Sequence, residues 1–525
     1  MDPASLALAI AGTIDLCFKY GDRLVQFCQE HRRIRNDIQE ISLIIEGVWV
    51  KTKHQLEMLK EMLNSNLLVP VLAAHYLNTI KHLETKISGA VVGLGILDRR
   101  SLGLSGNRLP IDIKGVYLKR GLQDIVQDLE EWQRRFDPSW YLIALIRRPA
   151  VDSQLKCQTE TPDSPASKLA ALRRAISGVP SETNNNESVF KDSAMLHNER
   201  CHIPYTGAYT SRSRDRSREL LLDCTNHSKT NDTKRFPGVT IKSQIRDLAR
   251  VLSNVNSTRS GLLKCEGVIE VVHDQFHPNP HFQFVLEIPD GLYNPISLRS
   301  LLLQNNKYSL SDRVQLAKQL TRSVMFVHTA GFVHKGIRPE TILLFNQRRS
   351  MNTENDSLSF NSSPFVSFLI GFEKIRRAEA WTDFLGDLEW ERNIYRHPVR
   401  QGLWAEEAFT MQHDIYSLGV CLLEIALWKS FVQFREEFSF PLSRLDIESA
   451  ISDKDARRGG FAVKRRLIAI AREKLPHKIG DRYKDLVIAC LCCLDESEDN
   501  IFHTGSQVRD SDGIVIGVRY IEHVS

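Results

Sequence analysis

A chain of 525 residues is too long for one core, and at roughly 150 residues per domain it should hold two or three. Its 42% hydrophobic and 25% charged residues are ordinary for a soluble globular protein. The net charge of +5, from 69 basic against 64 acidic residues, is too weak an excess over this length to argue for nucleic acid. Ten cysteines are present, but most stand singly, and Cys490, Cys492 and Cys493 crowd one apolar stretch with no second pair to complete a zinc site. Buried thiols in a reducing compartment, with no metal, are the expectation.

In chain order, Asp2 and Pro3 stand where a secretory signal would carry basic residues, so a cytoplasmic protein is expected. The run Ala4–Phe18 is apolar but interrupted by Asp15, and it is shorter than the ~20 residues a spanning helix needs. Ile34, Ile38, Ile41, Ile45 and Val48 recur at steps of four and three, the spacing of one helix face. Leu72, Tyr76, Ile80, Leu83 and Ile87 repeat the pattern, as do Leu118, Leu122, Ile125, Leu129, Trp132 and Phe136, with a stop expected near Asp137-Pro138. Each stripe needs partners to bury it, which predicts an all-α antiparallel bundle over residues 1–146, with Gly89–Pro110 as a loop.

Residues 147–218 are rich in Ser, Thr, Asn, Asp and Arg and poor in apolar side chains, so a flexible polar linker is expected there. Beyond it, the strand-like runs Glu219–Asp223 and Phe282–Ile288 precede helical stretches at Ile241–Val255, Leu310–Thr329 and Asp414–Leu427. Strands first and helices later predict a two-lobed α+β domain over residues 219–525.

The stretch His334-Lys335-Gly336-Ile337-Arg338-Pro339-Glu340-Thr341-Ile342-Leu343 resembles the catalytic loop of protein kinases, His-Arg-Asp-Leu-Lys-Pro-x-Asn-Ile-Leu. Asp414-Ile415-Tyr416-Ser417-Leu418-Gly419 resembles the start of that family's central buried helix. Leu298–Leu303 resembles the start of that family's helix after the hinge, and Arg482–Leu494 and Gly517–Ile521 would supply late helices of the large lobe. The order and spacing of these strings imply a kinase-like fold; function has to be argued at the site.

Phosphoryl transfer needs a carboxylate beside the substrate hydroxyl, magnesium ligands, and a Lys braced by a Glu. By this resemblance Gly336 stands at the proton acceptor, Thr341 at the metal-binding Asn and Gly371, ahead of Phe372, at the metal-binding Asp. Thr225, give or take two residues, stands at the nucleotide Lys; Lys229 lies beyond that strand, and Ile241–Val255 contains no Glu. The expectation is a pseudokinase with no catalytic residues, no metal and no required cofactor. His334, Arg338, Pro339, Phe372, Asp414 and Gly419 are retained as architecture. Arg338 in place of the phosphate-contacting Lys leaves metal-independent ATP binding as an alternative. An active atypical serine/threonine kinase would have to recruit acids such as Asp383 or Asp387.

The opening Leu6-Ala7-Leu8-Ala9-Ile10-Ala11-Gly12-Thr13-Ile14-Asp15-Leu16, followed by Tyr20-Gly21, resembles the first helix of fungal HeLo-type, prion-inhibition and propagation-like domains. A helical bundle ahead of a kinase-like domain is also the architecture of mixed-lineage kinase-like necroptosis effectors. The resemblance implies an effector of incompatibility or cell-death signalling. Leu6, Leu8, Ile10, Ile14, Leu16 and Phe18 would form a membrane-engaging or oligomerising segment. Protein partners, self-association, conditional membrane contact on activation and no specific nucleic acid are expected; a non-toxic dimerising scaffold is the alternative.

Overall fold

The computed structural model describes residues 3–32, 35–102, 111–146, 149–157, 189–215, 217–225, 241–271, 281–304, 306–347, 365–372, 376–377, 389–402, 409–435, 438–496, 500–502 and 514–524, with 167, 169, 170, 172 and 173. The chain divides into two compact units, a helical one comprising Met1–Arg173 and Asp510–Ile521, and a sheet-containing one comprising Arg174–Arg509 and Glu522–Ser525.

Four long helices make the first unit: α1 (Pro3–His31), α2 (Asn36–Asn64), α3 (Pro70–Leu102) and α4 (Ile111–Leu142). On α1 the side chains of Leu6, Ile10, Ile14, Cys17, Leu24 and Cys28 fall on one buried face, against α3 and α2. Gly21 belongs to that face because a Cβ there would collide with the Trp49 indole. Lys53 and Lys60 of α2 reach Asp22 and Asp15 of α1, which sets the two helices antiparallel. Trp132 Nε1 donates to Thr79 O (2.8 Å) and Tyr76 OH to Ser139 O (2.7 Å), aligning α3 and α4 the same way. All five α3 positions and all six α4 positions of the expected stripes are buried.

Three boundaries differ from expectation. First, α3 continues through Gly89 to Leu102, where a loop was expected from Gly89. Second, α4 runs through Asp137-Pro138 to Leu142, and the Asp137 carboxylate is held by Lys51 and Gln133. Third, α1 extends past Phe18, where the apolar run stops. It continues to His31, and among the described residues Ala4–His31 is long and apolar enough, by length and composition, to cross a membrane. A short helix α5 (Pro149–Cys157) extends the unit, and Arg173 pairs with its Asp152 (2.7 Å).

The second unit opens on a five-stranded antiparallel sheet of order β1-β2-β3-β5-β4. Its strands are β1 (Leu196–His202), β2 (Ala208–Ser213), β3 (Glu219–Thr225), β4 (Cys265–Val271) and β5 (His281–Glu287). Here β1 and β2 lie within the 147–218 stretch expected to be a linker. They form because backbone pairing, β1 to β2 and β2 to β3, satisfies amides whatever the side chains are. Between β3 and β4 lies α6 (Ile241–Ser253), packed on β4.

A second sheet, β6 (Leu292–Ser297), β8 (Ile342–Gln347) and β9 (Phe365–Leu369), begins the large lobe. It is joined by α7 (Leu298–Leu303), α8 (Leu310–Thr329), β7 (Phe332–Val333), which pairs with β10 (Arg376–Arg377), and the buried α9 (Met411–Leu427). The hairpin β11 (Val432–Arg435) and β12 (Phe438–Pro441) follows, then α10 (Ala456–Lys478) and α11 (Asp481–Leu491). At Gly419 of α9 a Cβ would come 2.7 Å from Cys490 Cβ, so glycine lets α9 and α11 approach closely. The last helix, α12 (Ile514–Val524), was expected in the large lobe, but Asp510–Ile521 belongs to the helical unit, and Val518, Tyr520 and Ile521 are buried. The fold is an N-terminal helical region followed by a two-lobed, kinase-like α+β domain.

Candidate functional site

The site forms where the loop after β7 meets the turn after β9, under the five-stranded sheet. Its anchor is Asp414, on the first turn of α9 and fully buried. Asp414 Oδ2 accepts from the His334 amide (2.7 Å), Oδ1 accepts from the Lys335 amide (2.9 Å), and His328 Nε2 lies 3.2 Å from Oδ2. Lys335 sits at φ +65°, a conformation costly for a side chain with a Cβ, and the two-point hold of Asp414 keeps it there. Burial would raise the Asp414 pKa, but the His328 hydrogen bond and the charges of His328 and His334 reverse this and hold it below the usual value.

From this anchor the loop runs back toward the sheet. His334 Nε2 lies 2.9 Å from Ile370 O, and its ring packs against Phe372 (5.3 Å between centroids). Phe372 in turn packs against Phe284 of β5 (6.3 Å), so an aromatic column links the loop to the five-stranded sheet. Thr341 Oγ1 donates to Gly336 O (2.8 Å) and accepts from the Arg338 amide (3.2 Å), closing the loop on itself. Gly371 has φ +82°, and a Cβ there would lie 2.9 Å from Thr341 Cβ and closer still to its methyl group. A side chain at position 371 would therefore collide with Thr341. Pro339 is buried, and Arg338 is largely covered, with its Nε 3.6 Å from Glu340 Oε2.

His334, Gly336, Thr341, Gly371, Phe372 and Asp414 thus come together. Thr225 does not join them: its Oγ1 donates to Phe282 O (3.0 Å), a tie within the sheet at the end of β3. The β3 side chain that enters the site is Asp223, two residues earlier, buried and accepting at Oδ2 from the amides of Gly371 (2.8 Å) and Phe372 (3.3 Å). Strand periodicity places Asp223 and Thr225 on one face, so nothing in the sequence separates them. Asp383 and Asp387 lie outside the described residues.

A second polar cluster went unnoticed in the sequence. Arg299 of α7 is completely buried and donates from Nε to Glu340 Oε1 (2.9 Å), from Nη1 to Glu424 Oε1 (3.3 Å) and to Ser430, and from Nη2 to Tyr395 OH (2.6 Å). Tyr395 OH donates to Glu424 Oε2 (2.9 Å). Leu298–Leu303 reads as an apolar helix, and Arg299's carboxylate partners lie 41 and 125 residues away, beyond any local pattern.

No family model matches the chain. Its sequence is similar to those of named kinases. A probable serine/threonine-protein kinase kinase of Dictyostelium discoideum is 24% identical over 172 residues, 33% of this chain and 35% of that protein. The probable serine/threonine-protein kinase fhkA of the same organism is 25% identical over 26% of this chain and 21% of its own length. CDPK-related kinase 8 of Arabidopsis thaliana is 24% identical over 28% of this chain and 21% of its own. The chain spans about a third or less of the length of the curated relatives it matches.

This chain is kinase-like. The expectation that it is not an enzyme, drawn from the residues at Gly336, Thr341 and Gly371, is overturned by these relatives, each of which is named as a kinase.

The buried histidines give the domain a pH dependence. Burial, opposed by Asp414, lowers the His334 pKa to about 4. Burial and the neighbouring Lys464 and His413 lower that of His397 to about 2. In the unfolded chain both take a proton near the ordinary ~6.5, so each contributes stability that is lost as pH falls from there toward its folded value. Glu424 opposes them: burial, partly offset by Arg299, raises its pKa to about 7, so its contribution is present at low pH and lost as pH rises from ~4.5. Two histidines against one carboxyl leave a net loss with acid. The denaturant midpoint of this domain is expected to fall between pH 6.5 and 4.5 and to keep falling below, where His397 and Asp414, both held below their ordinary values, still take up protons on unfolding; a midpoint that rises with acid would contradict this assignment.

Proposed function

We propose that this chain is a kinase-like signalling protein whose helical unit is its output module, self-associating and engaging membrane in incompatibility- or cell-death-type signalling. The observation that carries the reading is the division of the α1 apolar residues. Leu6, Ile10 and Ile14 are buried in the unit and Phe18 is half-covered, whereas Leu8 is 75% and Leu16 42% exposed. One face secures the helix while the other offers apolar side chains outward. The likeness of the opening residues to HeLo-type bundles supports the same reading. Several copies assembled at one membrane site would multiply the weak insertion of each.

The division sharpens the test. Leu8→Glu places a charge where the side chain is already in water, and is expected to leave helicity and unfolding midpoint unchanged while abolishing flotation of the full chain with anionic liposomes. Ile10→Glu buries an unpaired charge and is expected to unfold the helical unit. A Leu8→Glu chain that floats as well as the parent would sink the membrane reading in favour of a dimerising scaffold.

A second reading, favoured by the names of the relatives, is phosphate transfer to serine or threonine of a protein. Labelled ATP with magnesium and a generic protein substrate reads it directly: incorporation above background supports it, and background alone removes it.

A further inference from the structure

The lobes of the kinase-like domain meet through the Leu369 amide, which donates to Gly261 O (3.0 Å), through Phe284 against Phe372, and at two further points that face the site. At the inner point Asp223 of β3 places one carboxylate oxygen against two consecutive amides, those of Gly371 and Phe372. Consecutive amides converging beside a residue at positive φ form a cradle for an anion, and here the anion is the protein's own side chain. At the mouth, the turn between β1 and β2 is bent down onto the large lobe. Pro204 O accepts from Ser297 Oγ (2.9 Å) and Ser300 Oγ (3.4 Å) at the start of α7. Tyr205, next in the chain, lays its ring 5.0 Å from that of Phe434 on β11.

We propose that these contacts are the two halves of a latch that holds the lobes shut. Tyr205 adopts φ +64°, a conformation disfavoured for any residue with a Cβ, so the turn holds its shape against its own backbone preference. Asp223 is an acid on a buried strand whose carboxylate accepts from two amides of the other lobe. Both features lie at the junction of the lobes. The carboxylate also fills the cradle that a phosphate oxygen would otherwise enter and repels phosphate from it, so the closed state and a bound nucleotide compete.

The inference rests on the kinase-like reading of the cleft, and the test separates the two. Hydrogen exchange at the Gly371 and Phe372 amides of the full chain reports the inner tie without any ligand, and a fluorescent ATP analogue with magnesium reports access. In the parent, both amides are expected to exchange slowly and the analogue to bind weakly. Asp223→Ala should speed exchange by roughly tenfold or more, and Asp223→Asn, which keeps one acceptor oxygen, by less. Tyr205→Gly removes the ring while suiting the positive φ, so it should fold and loosen the mouth. The double variant Tyr205→Gly/Asp223→Ala is expected to bind the analogue at least about tenfold more tightly than the parent. Fast exchange in the parent, or exchange indifferent to Asp223→Ala, overturns the latch. Released amides with no gain in binding uphold the latch and count against the cleft as a nucleotide site.

Discussion

Replacing Asp414 by alanine is expected to destabilise the kinase-like domain by about 3–5 kcal/mol, the range for removing one partner of a buried charged cluster. The variant leaves the His334 and Lys335 amides without their acceptor, and takes from His328 its carboxylate. Each unsatisfied buried donor costs about 1–3 kcal/mol, and the positive φ of Lys335 loses the hold that maintains it. Asp414→Asn keeps one acceptor oxygen and should recover part of the loss. The denaturant midpoint of the domain's transition, read with tryptophan fluorescence, checks both. A midpoint unchanged in Asp414→Ala would mean that α9 does not anchor the loop.

The second large effect is expected at Arg299. Arg299→Met removes the only cation that bonds both Glu340 and Glu424 among the described residues, leaving the buried Glu424 and the largely covered Glu340 without it. A loss of about 3–5 kcal/mol is expected for the single variant. Because a whole buried pair can often be replaced at little cost, the double variant Arg299→Met/Glu424→Gln should regain at least half of it. If the single variant falls within ~1 kcal/mol of the parent, the cluster is not the tie between α7, the loop and α9 that its geometry indicates.

These residues also mark how far the sequence could be read. The stripes of α3 and α4 were legible because each is apolar and repeats at helical spacing, so amphipathicity alone placed them. On α2 the stripe was only partly legible. Ser42, Thr52 and Gln55 are buried there among the apolar residues, Thr52 and Gln55 bonded to Gln133, while Leu43, Ile44 and Val50 face outward. A polar layer satisfied across helices leaves no local pattern. The strands β1, LHNERCH, and β2, AYTSRS, read as linker because their side chains are polar; what holds them is backbone pairing, β1 to β2 and β2 to β3, visible only in three dimensions. At the site, the loop and Asp414 were legible by motif. Asp223 was not, because a carboxylate two residues from the expected position can be told from it only by what lies across the cleft.

The helical unit as an output module is tested most directly by dye release from anionic liposomes, with the full chain fused to an inducible dimeriser. Release that begins on adding the dimerising agent, and is absent in the Leu8→Glu chain of unchanged helicity, is the result expected. No release from the parent at any degree of assembly, or equal release from parent and Leu8→Glu, would contradict it.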